Sequence, residues 1–186
     1  MCTYTQGGWG TECKGNNPGC VRDANFATDF PSGLSIGGSN ASAVWTTSKA
    51  IESFLPAGGK PAALNGKSTN PTSTSAGVLA GQQVAAKLNI GILDAPARYV
   101  FVGCVTRNLI GKSIGEVIAL ADAAMSSGTP PSGLSLSDLN DALATFNENY
   151  DECEDEGCLA SSLRDLPRPT PRRNPVGAPP PAMPRL

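Results

Sequence analysis

The sequence predicts an α+β fold dominated by helices, with a few short strands and a disulfide-stapled N-terminal loop. Three observations lead there. Apolar residues recur at helical spacing between start and stop signals in "KSIGEVIALADAAMSSG" and "LSDLNDALATFNENY". β-Branched and aromatic residues gather in short runs such as "SAVWTT" and "ARYVFVGCV". The opening stretch "CTYTQGGWGTECKGNNPGC" combines cysteine, glycine and asparagine with almost no aliphatic residues. A chain of 186 residues is long enough for one domain with a sizeable core.

Taken in order, residues 1–33 read as loop, punctuated by Gly, Asn, Pro and Cys. "GLSIGG" and "SAVWTT" predict a hairpin turning at Gly37, Gly38, Ser39 and Asn40. "TSKAIESFLP" predicts a short helix with Ile51, Phe54 and Leu55 on one face and Pro56 as its stop. "AGGKPAALNGKSTNPTSTS" is a long polar connection with Asn-Gly and Asn-Pro turn signals. "SAGVLAGQQVAAKLNIGI" carries Val78, Gly81/Gln82, Ala85 and Leu88 at helical spacing. Gly77 and Gly81 weaken that helix, by about 1 kcal/mol each relative to Ala, which points to a close contact.

"ARYVFVGCV" is the best strand candidate. In the next helix Ser113 and Glu116 form a capping box, Ile114, Val117, Ile118, Ala121 and Met125 make the apolar stripe, and Gly128 suits the stop. The last helix takes Ser137 as N-cap, with Leu139, Leu143, Phe146 and Tyr150 inward. Residues 1–158 form one globular domain on this reading. Residues 159–186, Pro- and Arg-rich, form a tail whose composition cannot bury enough apolar surface to order itself.

Composition narrows function. There is no histidine, which removes Ser-His-Asp and Cys-His nucleophilic sites and His-containing zinc sites. The formal net charge of −2 gives no reason to expect nucleic-acid binding. It conceals a split between an acidic knot at Asp151, Glu152, Glu154, Asp155 and Glu156 and arginines at 164, 168, 172, 173 and 185. No apolar run is long enough to span a membrane. Met1 runs into Cys2 without the apolar segment of a signal peptide.

The six cysteines are Cys2, Cys13, Cys20, Cys104, Cys153 and Cys158, an even number as full pairing requires. Local proximity pairs Cys13 with Cys20 around "KGNNPG" and Cys153 with Cys158 around "EDEG", leaving Cys2 with Cys104. For zinc, Cys13 to Cys20 is too long a spacing and Cys153 to Cys158 sits at the permissive edge, and no C-x-x-C motif is present, so structural disulfides are preferred to a metal. Structural disulfides imply an oxidising compartment, so the expected location is extracellular or cell-surface, with the leader absent from this chain.

Three motifs invite a sharper function. "YVFVGCVTRNLIGKSIGEV" has the order of a phosphate-binding loop, but Thr106 stands where the first glycine is required. In "NENYDECEDEGC", Asn147, Asn149, Asp151 and Asp155 match oxygen-ligand positions of a calcium loop. Glu152 replaces its glycine and Cys158 its last carboxylate, so Ca²⁺ is a weak candidate and no other cofactor is expected. Asp23, Asp29, Asp94 and Asp122 are the carboxylates available to a glycosidase-type pair, without a context that marks a cleft. Trp9, in a Gly-rich loop, is a possible ligand surface for stacking on sugars; packing in the core is the competing role.

"CTYTQGGWG", "FPSGLSIGG", "FLPAGG" and "NPTSTSAGVLAGQ", followed by "GKSIGEVIALADAAM" and "LSDLNDALATFNENYD", occur in an order that resembles a domain of secreted and cell-surface bacterial proteins, myxobacterial ones among them. The resemblance covers roughly residues 2–152 and implies export, with no activity, ligand or site residue attached. "ILDAPARYVFVGCVTRNLIGKS" and the end after Cys158 depart from that pattern. The expected function is a non-catalytic extracellular module contacting an unidentified cell-surface or matrix component. The alternatives are a carboxylate-dependent hydrolase and a calcium- or carbohydrate-binding module.

Overall fold

A computed structural model describes residues 2–162. The Pro/Arg-rich segment predicted as a tail lies, from residue 163 onward, outside the described residues. Among the described residues, six α-helices and five short strands follow in the order α1 (Gln6–Trp9), α2 (Pro18–Asp29), β1 (Leu34–Gly37), β2 (Ser42–Trp45), α3 (Ser48–Phe54), β3 (Lys67–Thr69), α4 (Val78–Leu93), β4 (Val100–Phe101), α5 (Ile114–Ser127), α6 (Leu136–Asn149) and β5 (Leu159–Ala160). The helix-dominated α+β fold is therefore the one the sequence predicts.

Helix α4 is the axis of the molecule. It packs most extensively against α6 and also touches α1, α2, α5 and β1. Leu79, Ala80, Val84, Ala85, Ala86 and Leu88 are all buried, so apolar contact surrounds the helix. The one-sided stripe expected from its spacing understated this. Small residues allow that enclosure. A Cβ on Gly81 would stand 2.1 Å from Gln6 Oε1 and 2.9 Å from Ala57 Cβ. Gly77 caps the helix at φ 60° and is not inside it.

Helix α5 starts and stops as predicted. Ser113 and Glu116 complete the capping box, and Gly128 ends the helix in the left-handed conformation. In α6 the cap is Ser135, not Ser137: Ser135 Oγ accepts from Asp138 N at 3.1 Å, and Asp138 reaches back to Ser135 N at 2.8 Å. Leu139, Leu143, Phe146 and Tyr150 are buried as expected.

β1 and β2 form the predicted antiparallel hairpin, with Leu34 opposite Trp45 and Gly37 opposite Ser42. Trp45 lies against Phe54 of α3 with ring centroids 4.4 Å apart, which closes the sheet onto that helix. The long polar connection adds an unpredicted strand: β3 pairs in parallel with β2, Lys67 opposite Ser42. "ARYVFVGCV" supplies only the two-residue β4. Its partner β5 follows directly on Cys158.

Residues 1–33 are not all loop. Asn17 caps α2 by accepting from Cys20 N at 3.1 Å, and Pro18 opens the helix where its missing N–H costs nothing. Glycines of this stretch permit close approach: a Cβ on Gly19 would lie 2.2 Å from Thr11 O, and one on Gly10 would lie 2.4 Å from Leu55 O.

All six cysteines are paired. Cys13–Cys20 is as predicted; the others are Cys2–Cys153 and Cys104–Cys158, in place of Cys153–Cys158 and Cys2–Cys104. Two features of the backbone explain the exchange. Thr3 N donates to Tyr150 O at 3.0 Å, which lays the N-terminus beside Cys153. Asn149 Oδ1 accepts from Cys158 N at 2.9 Å and Asn149 O from Glu156 N at 3.0 Å, which turns Cys158 away from Cys153 toward Cys104. Three disulfides are the pattern of a chain folded under oxidising conditions. Among the described residues no helix is long and apolar enough to cross a membrane.

Candidate functional site

The residues singled out from sequence are mostly structural. Trp9 is fully buried, so it packs and does not present a surface. Its ring meets Tyr4 edge-on at 5.2 Å, and its Nε1 donates to Asn89 Oδ1 at 3.0 Å. Asn89 also accepts from Tyr4 N at 2.8 Å and donates to Tyr4 O and Asn147 Oδ1, each at 3.0 Å. Asn147 passes the network on to Gln82, donating to both its O and Oε1. One buried chain of amides thus locks the N-terminal stretch, α4 and α6 together. Each member is worth most while all the others are satisfied.

Asn147 is therefore turned into the core and does not join Asp151 in a calcium loop. Asn149 donates to Asp155 at 3.2 Å and accepts from Cys158 N, and Asp155 accepts from Gly157 N at 2.8 Å. The oxygen-rich sequence builds a turn. Among the described residues no three His, Cys, Asp or Glu side chains gather in one group.

Two of the carboxylates considered for hydrolysis are held by cations. Asp122 accepts from Lys87 Nζ at 2.6 Å and from Gly37 N at 2.8 Å, so it ties α5 to α4 and the hairpin and does not lie on a solvated face. Asp23 accepts from Arg22 Nε at 2.9 Å. Among the described residues Arg22 is the largest fully buried polar side chain. It is fully buried, donates to Trp9 O at 2.6 Å and Thr11 O at 3.1 Å, and pairs with Glu52 at 2.7 Å. Glu52 also accepts from Lys49. That hydrogen bond, with the charges of Lys49 and Arg22, holds the Glu52 carboxyl below the ordinary carboxylate range.

Sequence reasoning passed over a different kind of place. Residues 62–76 leave the body and return as an Ω-shaped loop. Its ends are tied where Ala62 N donates to Ala76 O at 3.2 Å and Ser75 Oγ to Ala63 O at 2.9 Å. The outgoing limb is fixed by Leu64 N donating to Met125 O at 3.0 Å and by β3. At the bend, Asn70 N donates to Val44 O at 2.7 Å, Asn70 Oδ1 accepts from Thr46 N at 2.8 Å, and Trp45 Nε1 donates to Pro71 O at 3.0 Å. A 15-residue surface excursion held this firmly is a preformed platform and not slack chain.

Between the limbs lies a cleft of about 420 Å³, lined by Leu64–Ser68 on one side and Ser73–Ser75 on the other. Asn65, Lys67, Ser68, Ser73 and Ser75 are exposed there. Lys67 is the one charged residue of the lining, which holds no carboxylate. Thr74 Oγ1 is sealed from solvent and has no hydrogen-bond partner among the described residues. The length and polarity of "AGGKPAALNGKSTNPTSTS" were the only sequence signals of this cleft. No family model matches the chain, and neither the curated proteins nor the solved structures contain a match.

Proposed function

We propose that the protein is a non-catalytic extracellular module that contacts a cell-surface or matrix component through the cleft of the 62–76 loop. The observation that carries this reading is the covalent frame. Three disulfides take up all six cysteines, and one of them joins residue 2 to residue 153. Such a frame suits a domain that must persist outside the cell, where cross-links survive and chaperones are absent. The buried polar groups fit the same picture, since Arg22, Asn89 and Asn147 are used up in holding the fold. Exposed hydrogen-bonding groups line the cleft of the 62–76 loop.

Fractionation of the native producer tests the reading. Cells and medium are separated, thiols are alkylated before any reduction, and the protein's mass is measured in each fraction. The expected result is protein outside the cytoplasm with no alkylated cysteine. Cytoplasmic protein carrying six alkylated cysteines would overturn it.

A further inference from the structure

The lining of the 62–76 cleft specifies a class of ligand. Its exposed groups are one amide (Asn65), three hydroxyls (Ser68, Ser73, Ser75) and one ammonium (Lys67). Hydroxyls and amides each donate and accept, as the hydroxyls of a sugar do. Leu64 is the one large apolar residue of the lining, and no aromatic ring is present, so a flat apolar ligand finds no surface there. Lys67 without a neighbouring carboxylate favours an anion. From these features we propose that the cleft binds an acidic sugar unit of an extracellular polysaccharide. Lys67 takes the acid group, and Asn65, Ser68 and Ser73 take the hydroxyls. This deepens the contact function above and rests on it.

Thr74 supplies a further, independent observation. A sealed hydroxyl without a partner is unfavourable. Rotation of Thr74 about χ1 moves Oγ1 by one staggered well and exchanges it with another position on the β-carbon. In the proposed complex such a turn brings the Thr74 hydroxyl to the ligand between the limbs. Thr74 is thus an unused hydrogen-bonding group in the wall of the cleft.

The test uses the full chain with its disulfides intact, titrated calorimetrically at near-physiological salt. The probes are oligogalacturonate, which carries carboxylates, dextran sulfate oligosaccharide, and neutral dextran oligosaccharide. The expected result is binding of at least one acidic probe, at least tenfold tighter than dextran. Lys67→Gln weakens acidic binding roughly tenfold, as loss of a charge-assisted hydrogen bond does. Thr74→Val weakens it roughly threefold to tenfold without lowering the melting temperature. Equal binding of dextran, or acidic binding indifferent to Lys67→Gln, would overturn the proposal.

Fluorescently labelled protein on the producer's envelope separates this failure from failure of the contact reading. Envelope labelling with no saccharide binding overturns the ligand class alone. So does labelling abolished by protease treatment of the envelope, which points to a protein partner. Saccharide binding that follows both variants, on an envelope left unlabelled, supports the site and overturns the contact function.

Discussion

Arg22, Asn89 and Asn147 lie in the core with their polar atoms bonded, whereas Asn65, Lys67, Ser68 and Ser73 lie on the 62–76 loop with side chains that bond to nothing among the described residues. Both regions are rich in polar residues, and composition does not distinguish them. What differs is the direction of the demand. In the first, backbone carbonyls and amides of the N-terminal stretch need partners in a place without water, and the side chains supply them. In the second, the loop is anchored through its own backbone to Val44, Met125 and across its ends, and these side chains remain for solvent or ligand. Substitutions should therefore cost stability in the first region and binding in the second.

The largest effect is expected from the cross-links around the N-terminal region. Opening Cys2–Cys153 by paired serines frees a loop with a separation of 151 residues, worth roughly 5 kcal/mol in the chain-entropy account. Opening Cys13–Cys20, with a separation of 7, is worth roughly half of that. Urea titrations of the two paired variants check the ranking, and equal losses would contradict it. Arg22→Met comes next. It leaves Glu52 and the carbonyls of Trp9 and Thr11 without their buried donor, at a cost of about 3–5 kcal/mol. A loss below about 1 kcal/mol would remove the contrast between the two regions.

Helix caps give a smaller effect with a pH signature. Hydrogen bonds from Ser113 and Ser135 depress the Glu116 and Asp138 carboxyls below their ordinary values. A depressed carboxyl stabilises the fold above its unfolded value, and that stability is lost as pH falls through the folded value. Ser113→Ala and Ser135→Ala should each cost about 1 kcal/mol near neutrality. The difference from wild type should shrink on acidification below the ordinary carboxylate range. A gap that stays constant in thermal melts from neutral to acid pH would contradict the capping account. Smallest of all, Asn65→Ala and Ser73→Ala in the loop should change stability by less than about 0.5 kcal/mol.

Local signals in the sequence announced the parts of the fold governed by local physics. The capping box and stripe of α5, the β1–β2 hairpin and the stop of α3 at Leu55–Pro56 each depend on residues within one turn of one another. Helix α2 was hidden because Arg22 takes a buried position where periodicity looks for an apolar residue. β3 was hidden because Lys67, Ser68 and Thr69 are all exposed and owe their strand geometry to pairing with β2. Two disulfides were mispaired because closeness in sequence stood in for closeness in space. Asn149 and Thr3, not the cysteine spacing, decide which sulfurs meet. The cleft was the least legible feature. It is made by the closing of a loop, and no single residue in it carries a chemical signature.

The central claim is that a three-disulfide frame, with its buried polar network, holds the N-terminal stretch against the body and leaves the 62–76 loop for contact. Disulfide mapping by mass spectrometry of unreduced, proteolysed protein tests that frame most directly. The account predicts three linked peptides, joining Cys2 to Cys153, Cys13 to Cys20 and Cys104 to Cys158. A peptide linking Cys153 to Cys158, or free thiols at Cys2 or Cys104, would contradict it.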